Sequence, residues 1–145
     1  MSILPLHSNK ILAIDEFLFP IILDSYPCRC KKCNPQLIHY GLLLKVLEMK
    51  NVFPDLIITC GYRCREHNKE VGGVENSQHV LGKAVDVTTS KGLTKELEEY
   101  ARHSDFNGIG IYYDKGFIHL DERDGKKVMF EKGDSGEWRA KHEKV

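Results

Sequence analysis

Two histidines and an aspartate stand where a metal ion could use them. In Ser77-Gln78-His79-Val80-Leu81-Gly82-Lys83-Ala84-Val85-Asp86 an imidazole and a carboxylate lie seven positions apart. Between them Gly82 lets the backbone fold back tightly and Ala84 leaves space beside an ion, while a strand under Asp86 would hold its carboxylate still. In Phe117-Ile118-His119-Leu120-Asp121 the strand period of two puts Phe117, His119 and Asp121 on one face and Ile118 and Leu120 on the core face. His119 is thereby the candidate third ligand. Two imidazoles and one carboxylate, with the fourth position left to water, make a catalytic zinc site rather than a closed structural one. Such an ion lowers the pKa of its water toward about 7 and polarises a carbonyl, which is the chemistry of amide hydrolysis. The same spacing also fits two unrelated polar histidines and a surface strand aspartate.

A second group of soft ligands is Cys28-x-Cys30-x-x-Cys33, in a basic stretch between Pro27 and Pro35. Three thiolates could bind a structural zinc, with Cys60, Cys64 or His39 as the fourth ligand. Free or partly oxidised thiols fit the same pattern. Cys60 and Cys64, four residues apart around Gly61-Tyr62-Arg63, could approach one another. An odd count of five cysteines excludes a fully paired disulfide framework within one chain. Reduced thiols or a metal are expected. His7, His39, His67, His103 and His142 lack ligand spacing and read as surface residues, with His67 close to the site if its stretch is helical.

The elements that must position these groups are legible in outline. Asn34-Pro35 opens a helix that ends near Asn51, with Leu37, Tyr40, Leu44 and Leu47 facing the core. Leu56 to Thr59 is a buried strand stopping at Gly61, and Ala84 to Thr88 is another. Arg65 to Val71 forms one or two helical turns closed by Gly72-Gly73. Thr94 caps a helix through Leu97, Tyr100 and Ala101. A hairpin joins Gly108–Tyr113 to Phe117–Asp121 around Asp114-Lys115-Gly116, and Lys127 to Glu131 is a further strand. Helices first and antiparallel strands later make an α+β domain, a small antiparallel sheet flanked by helices. The expected division is an N-terminal segment 1–33 with the cysteine cluster, a domain 34–132, and a loosely packed polar tail 133–145.

Composition narrows the function classes. Twenty-one Lys plus Arg balance 21 Asp plus Glu in 145 residues, so the chain is no strongly basic nucleic-acid binder. At 41% hydrophobic it has the apolar share of one globular domain. Asp15, Glu16 and Pro20 break the apolar run from Ile11 to Leu23 short of transmembrane length, and Met1 to Tyr26 lacks the parts of a secretory signal. The expectation is a chain made in the cytoplasm that stays there or leaves by another route.

Ser77-x-His79-x-x-Gly82-x-Ala84-x-Asp86, preceded by Gly61-Tyr62-Arg63 and Asn68 to Gly73 and followed by Gly108 to Tyr112 and Phe117 to Asp121, resembles the zinc D-Ala-D-Ala carboxypeptidase family. Relatives in that group include L-Ala-D-Glu endopeptidases of phage endolysins and other murein endopeptidases, and hedgehog domains share the zinc site. The resemblance implies their α+β fold, a catalytic zinc held by His79, Asp86 and His119, and hydrolysis of amide bonds in peptidoglycan stem peptides or cross-links. It makes Arg63 the residue that grips a substrate carboxylate or the carbonyl oxygen, with Ser77 hydrogen-bonding in the site and Gln78 beside a ligand. A planar guanidinium fork suits that role. The implied partner is peptidoglycan or muropeptides, met by a monomer without nucleic acid or membrane span; a phage or prophage lysis enzyme released by another protein, a cytoplasmic recycling enzyme and a virion-packaged one all fit the missing signal.

One departure stands out. Many members carry an acidic general base three residues before the last histidine, and here that position is Gly116. Asp121 is the replacement favoured by its strand face, since it can reach the metal's water or the outer nitrogen of a ligand imidazole, whereas Asp114 sits in a turn. Asp121 could equally serve as a salt-bridge partner of Arg123. The missing acid also admits a second reading, a hedgehog-like zinc module that binds a cell-wall peptide or a protein without turnover. A third treats the cysteine cluster as the functional centre.

Overall fold

Alternation of the kind seen in Phe117–Asp121 runs through a whole sheet, and that sheet organises the molecule. The computed structural model describes residues 3–5, 28–30 and 37–142. A short strand β1 (Ile3–Pro5) pairs antiparallel with β2 (Leu37–His39), which leads into helix α1 (Tyr40–Val52). Then follow β3 (Leu56–Cys60), α2 (Arg65–Glu70), β4 (Ala84–Thr89), α3 (Lys95–Arg102), β5 (Gly108–Tyr112), β6 (Phe117–Asp121), β7 (Val128–Lys132) and α4 (Ser135–His142). Five strands form one sheet in the order β3-β4-β6-β5-β7. The class is α+β, a mostly antiparallel sheet flanked by helices. Among the described residues no helix is long and apolar enough to cross a membrane.

Register aligns the side chains that matter. Cys60 pairs with Asp86, Asp86 with His119, His119 with Gly110, and Gly110 with Phe130, so one rung crosses all five strands. The next rung carries Ala84, Asp121, Gly108 and Val128. Between these positions Val85, Ile109, Ile118 and Leu120 turn to the opposite face, where they are fully buried with Val87, Ile111 and the apolar residues of α1 and α3. Burying each such side chain stabilises the fold by roughly 1.5–3 kcal/mol. One face of the sheet is therefore core, and the other carries the polar site.

Three expectations are corrected. The first helix starts at Tyr40, because Leu37–His39 is strand paired with β1; Asn34 and Pro35 lie outside the described residues. His39 caps it, Nδ1 accepting from Leu42 N at 3.3 Å while His39 N donates to Gly82 O at 2.7 Å, so this histidine is buried and not a surface residue. The buried stripe is Leu42, Leu43, Val46, Leu47 and Met49, which leaves Tyr40 and Leu44 partly exposed. Second, β7 runs parallel to β5. The loop from β6 crosses the Gly108 end of β5 and returns along its far side, and Asn107 Nδ2 latches it by donating to the carbonyls of Arg123 (2.6 Å) and Gly125 (2.9 Å). Third, the polar tail contains a packed helix. Asp134 Oδ1 accepts from Glu137 N, and Trp138 is buried with its ring 5.3 Å from that of Tyr113. Arg139 reaches back 2.7 Å to Glu98 Oε1, which also accepts from Arg102 Nε and the Tyr113 hydroxyl.

Candidate metal centre

The segment between β3 and β4 delivers His79 to the sheet. Gly82, at φ +71°, closes a turn in which Val80 N and Leu81 N donate to the carbonyls of Ser77 and Gln78, and Lys83 N to that of Gln78. Ser77 Oγ accepts from His79 N and from Arg63 Nη2, both at 3.2 Å, and Arg63 N donates to His79 O at 3.1 Å. Arg63, Ser77 and His79 are thus tied together across sixteen residues of chain. A carbonyl can only accept, so the 2.7 Å contact to Gly61 O places the hydrogen of His79 on Nδ1 and turns Nε2 toward Asp86 Oδ1, 3.2 Å away.

The same Asp86 oxygen lies 3.0 Å from His119 Nδ1. The outer nitrogen of His119, Nε2, lies 2.7 Å from Asp121 Oδ2 and donates to it. Asp121 is fully buried and is clamped by Arg123, whose Nη2 donates to Oδ2 at 2.6 Å and whose backbone N donates to Oδ1 at 3.0 Å. Of the two places expected for Asp121, its carboxylate takes the outer nitrogen of the imidazole, and it pairs with Arg123 as well. Gly108 makes this burial possible: a Cβ there would stand 2.1 Å from Asp121 Oδ1. Gly110 likewise leaves room for the Phe130 ring, which with the stacked pair Tyr112 and Phe117 builds an aromatic wall on the side of His119.

Protonation follows from these contacts. Burial alone would pull the His79 imidazole down, but the hydrogen bonds to Asp86 and Cys60 outweigh it and hold the group at about 10, so without an ion Nε2 also carries a hydrogen toward Asp86, which a metal bound there would displace. His119 is raised in the same way against its burial by Asp121 and Asp86. Asp86, which burial would push up, is held at about 2 by the two imidazoles, and Asp121 falls well below the carboxylate range through His119 and Arg123. One carboxylate oxygen is shared by two imidazole nitrogens whose opposite ring nitrogens are each fixed by an acceptor. Two nitrogens and one oxygen with outer partners in place are zinc-type donors, and Cys60, His79 and Asp86 have ligand atoms that all lie within 4.8 Å of one another.

Other expected residues distribute as follows. Gln78 is half-buried, and its Oε1 and the Arg63 Nε are buried without a hydrogen-bond partner among the described residues. Gly116, at φ +74°, turns the β5–β6 hairpin and accepts from Thr88 Oγ1 at 2.8 Å, so a turn residue occupies the position of the relatives' acid. Cys60 and Cys64 separate: Cys60 Sγ lies 3.7 Å from His79 Nδ1, and Cys64 joins Cys28 and Cys30. Cys33 lies outside the described residues. Cys60, expected with the cysteine cluster, stands beside His79 instead, and Phe130 and Tyr112 on the site face are residues that the strand period of β5 and β7 could have found.

The model of one peptidase family, described as Peptidase M15, matches residues 27–121. The chain belongs to the Peptidase M15 family. A comparison with curated proteins gives no match. The M15 match ends on Asp121 and takes in His79, Asp86 and His119, so membership and donor chemistry point alike to a zinc peptidase.

Proposed function

We propose that this M15 chain hydrolyses amide bonds in peptidoglycan stem peptides or cross-links, with His79 Nε2, Asp86 Oδ1 and His119 Nδ1 as the ligands of one zinc ion. The observation that carries the reading is the shared Asp86 oxygen, 3.2 and 3.0 Å from the two imidazole nitrogens. When bound, zinc supplies a Lewis acid that polarises a carbonyl and acidifies water. The remaining work falls to the chain. Ser77 holds the Arg63 guanidinium, whose buried and unpaired Nε and planar fork suit a stem-peptide carboxylate or a developing oxyanion. The unpaired Gln78 Oε1 offers an acceptor to a substrate amide. Asp121, braced by Arg123, positions His119 and keeps its hydrogen on Nε2. Phe130, Tyr112 and Phe117 shield one side from water.

Digestion of purified muropeptides, read by mass spectrometry, tests this and names the bond cleaved. The expected result is one amide bond cut by the zinc-loaded chain, with activity and the ion at this centre both lost in His79→Ala. Activity that survives that substitution would overturn the reading. Gly116, together with the commitment of Asp121 to the outer nitrogen, favours one alternative, a zinc module that binds wall peptide without turnover. Its signature is zinc bound at His79 and no cleavage of any murein fragment.

A further inference from the structure

Three thiols meet at the N-terminus of α2, where Cys64 is the capping residue directly after Arg63. Cys28, Cys30 and Cys64 place their sulfurs 3.4, 3.8 and 3.9 Å apart, a nearly equilateral triangle built from chain segments more than thirty residues distant. Zinc–sulfur bonds of about 2.3 Å at tetrahedral angles put sulfurs about 3.8 Å from one another. The triangle therefore has the dimensions of one face of a zinc–thiolate tetrahedron. Backbone amides already point at two of the sulfurs: Cys64 N donates to Cys28 Sγ and His67 N to Cys64 Sγ, each at 3.4 Å. Such donors favour the thiolate form that a metal requires. Between the two N-terminal cysteines, Arg29 Nη2 donates to Ile58 O at 3.2 Å and pins the segment against β3.

We propose that Cys28, Cys30 and Cys64 form a second, structural metal site for one soft divalent cation of the zinc class. Three thiolates leave one of its four positions to a further donor. The site shares no residue with the His79 centre. It fastens the segment before α1 to the first turn of α2, and Cys64 directly follows Arg63, so the ion holds the loop that presents the guanidinium.

Metal content and cobalt spectroscopy of the full chain, purified under reducing conditions, test the proposal. Two zinc ions per chain are expected, falling to one in Cys28→Ser, in Cys64→Ser and in the double variant alike, while His79→Ala loses the other ion and keeps this one. With cobalt in place of zinc, the sulfur-to-cobalt charge-transfer band should persist in His79→Ala and in Cys60→Ala, which excludes Cys60 as its source, and vanish in Cys64→Ser. Should the serine variants fail to fold, the band in Cys60→Ala decides alone. No band, a zinc content indifferent to these cysteines, or a disulfide between two of them in peptide maps of the protein as expressed would overturn it.

Discussion

Gly108→Ala reaches the proposed metal centre without touching a proposed ligand. The added Cβ would stand 2.1, 2.3 and 2.4 Å from Oδ1, Oδ2 and Cγ of Asp121, where ordinary contact begins at 3.4 Å. The carboxylate must therefore retreat by more than an ångström. Its 2.7 Å hydrogen bond from His119 Nε2 has only about 0.5 Å of slack before it ceases to be one. Losing the outer partner of a ligand histidine typically weakens metal binding ~10–100-fold, or ~1.4–2.7 kcal/mol. Overpacking adds roughly 1–3 kcal/mol of destabilisation, offset by the ~0.5–1 kcal/mol that alanine gains over glycine in a strand. Because Gly108 has no left-handed φ, backbone strain does not contribute. Zinc affinity measured by competition with a chromophoric chelator should fall 10–100-fold in Gly108→Ala and in Asp121→Asn, which removes the charge and adds no atom. Far-ultraviolet circular dichroism keeps the reading to folded protein. A folded Gly108→Ala chain that binds zinc as tightly as the parent refutes the argument that Asp121 acts through His119.

Two further outcomes follow from features away from the metal. His39 is held below its ordinary pKa by burial first and by Lys83 second, so its contribution to stability is complete above about pH 6.5 and is lost as pH falls through the lowered value. His39→Asn keeps a capping acceptor and removes the titration; denaturant unfolding at several pH values should show the parent losing stability faster toward acid, and equal slopes would contradict this. Trp138→Ala empties the contact between α4 and Tyr113 and should cost ~3–5 kcal/mol in unfolding free energy, whereas an unchanged midpoint would mean that the last helix is not part of the core.

Much of this was legible because the local signals agree with the fold. Thr94 caps α3 through the 3.2 Å bond from Leu97 N, as a threonine before an amphipathic helix should. Period-two alternation assigned the face of His119 and Asp121, and pairing then brought Asp86 opposite His119. What stayed hidden depends on partners remote in sequence. Nothing local tells Leu37 and Ile38 to join β1 rather than extend α1, and the phase of an apolar helix such as Tyr40–Val52 is ambiguous until the sheet selects one side. The tail reads as polar because its one large apolar residue, Trp138, finds its pocket against Tyr113, 25 positions earlier. In sequence Cys64 is a spare ligand beside Cys60, and only the fold shows that the two sulfurs part company.

The rung that joins Asp86 to His119 also makes the centre a check on assembly. Strands β4 and β6 are neighbours in the sheet yet are separated in sequence by α3 and β5, so their alignment closes a longer loop than the β5–β6 hairpin does. A slip of one residue would present Val85 or Leu120 to the site face and send Asp86 into the core. Only the correct alignment assembles two imidazoles and a carboxylate, and under the proposed zinc ligation only that alignment gains the free energy of holding the ion. Metal capture would thereby reward one strand pairing over its nearest misfolded rivals, proofreading the sheet that carries the proposed site.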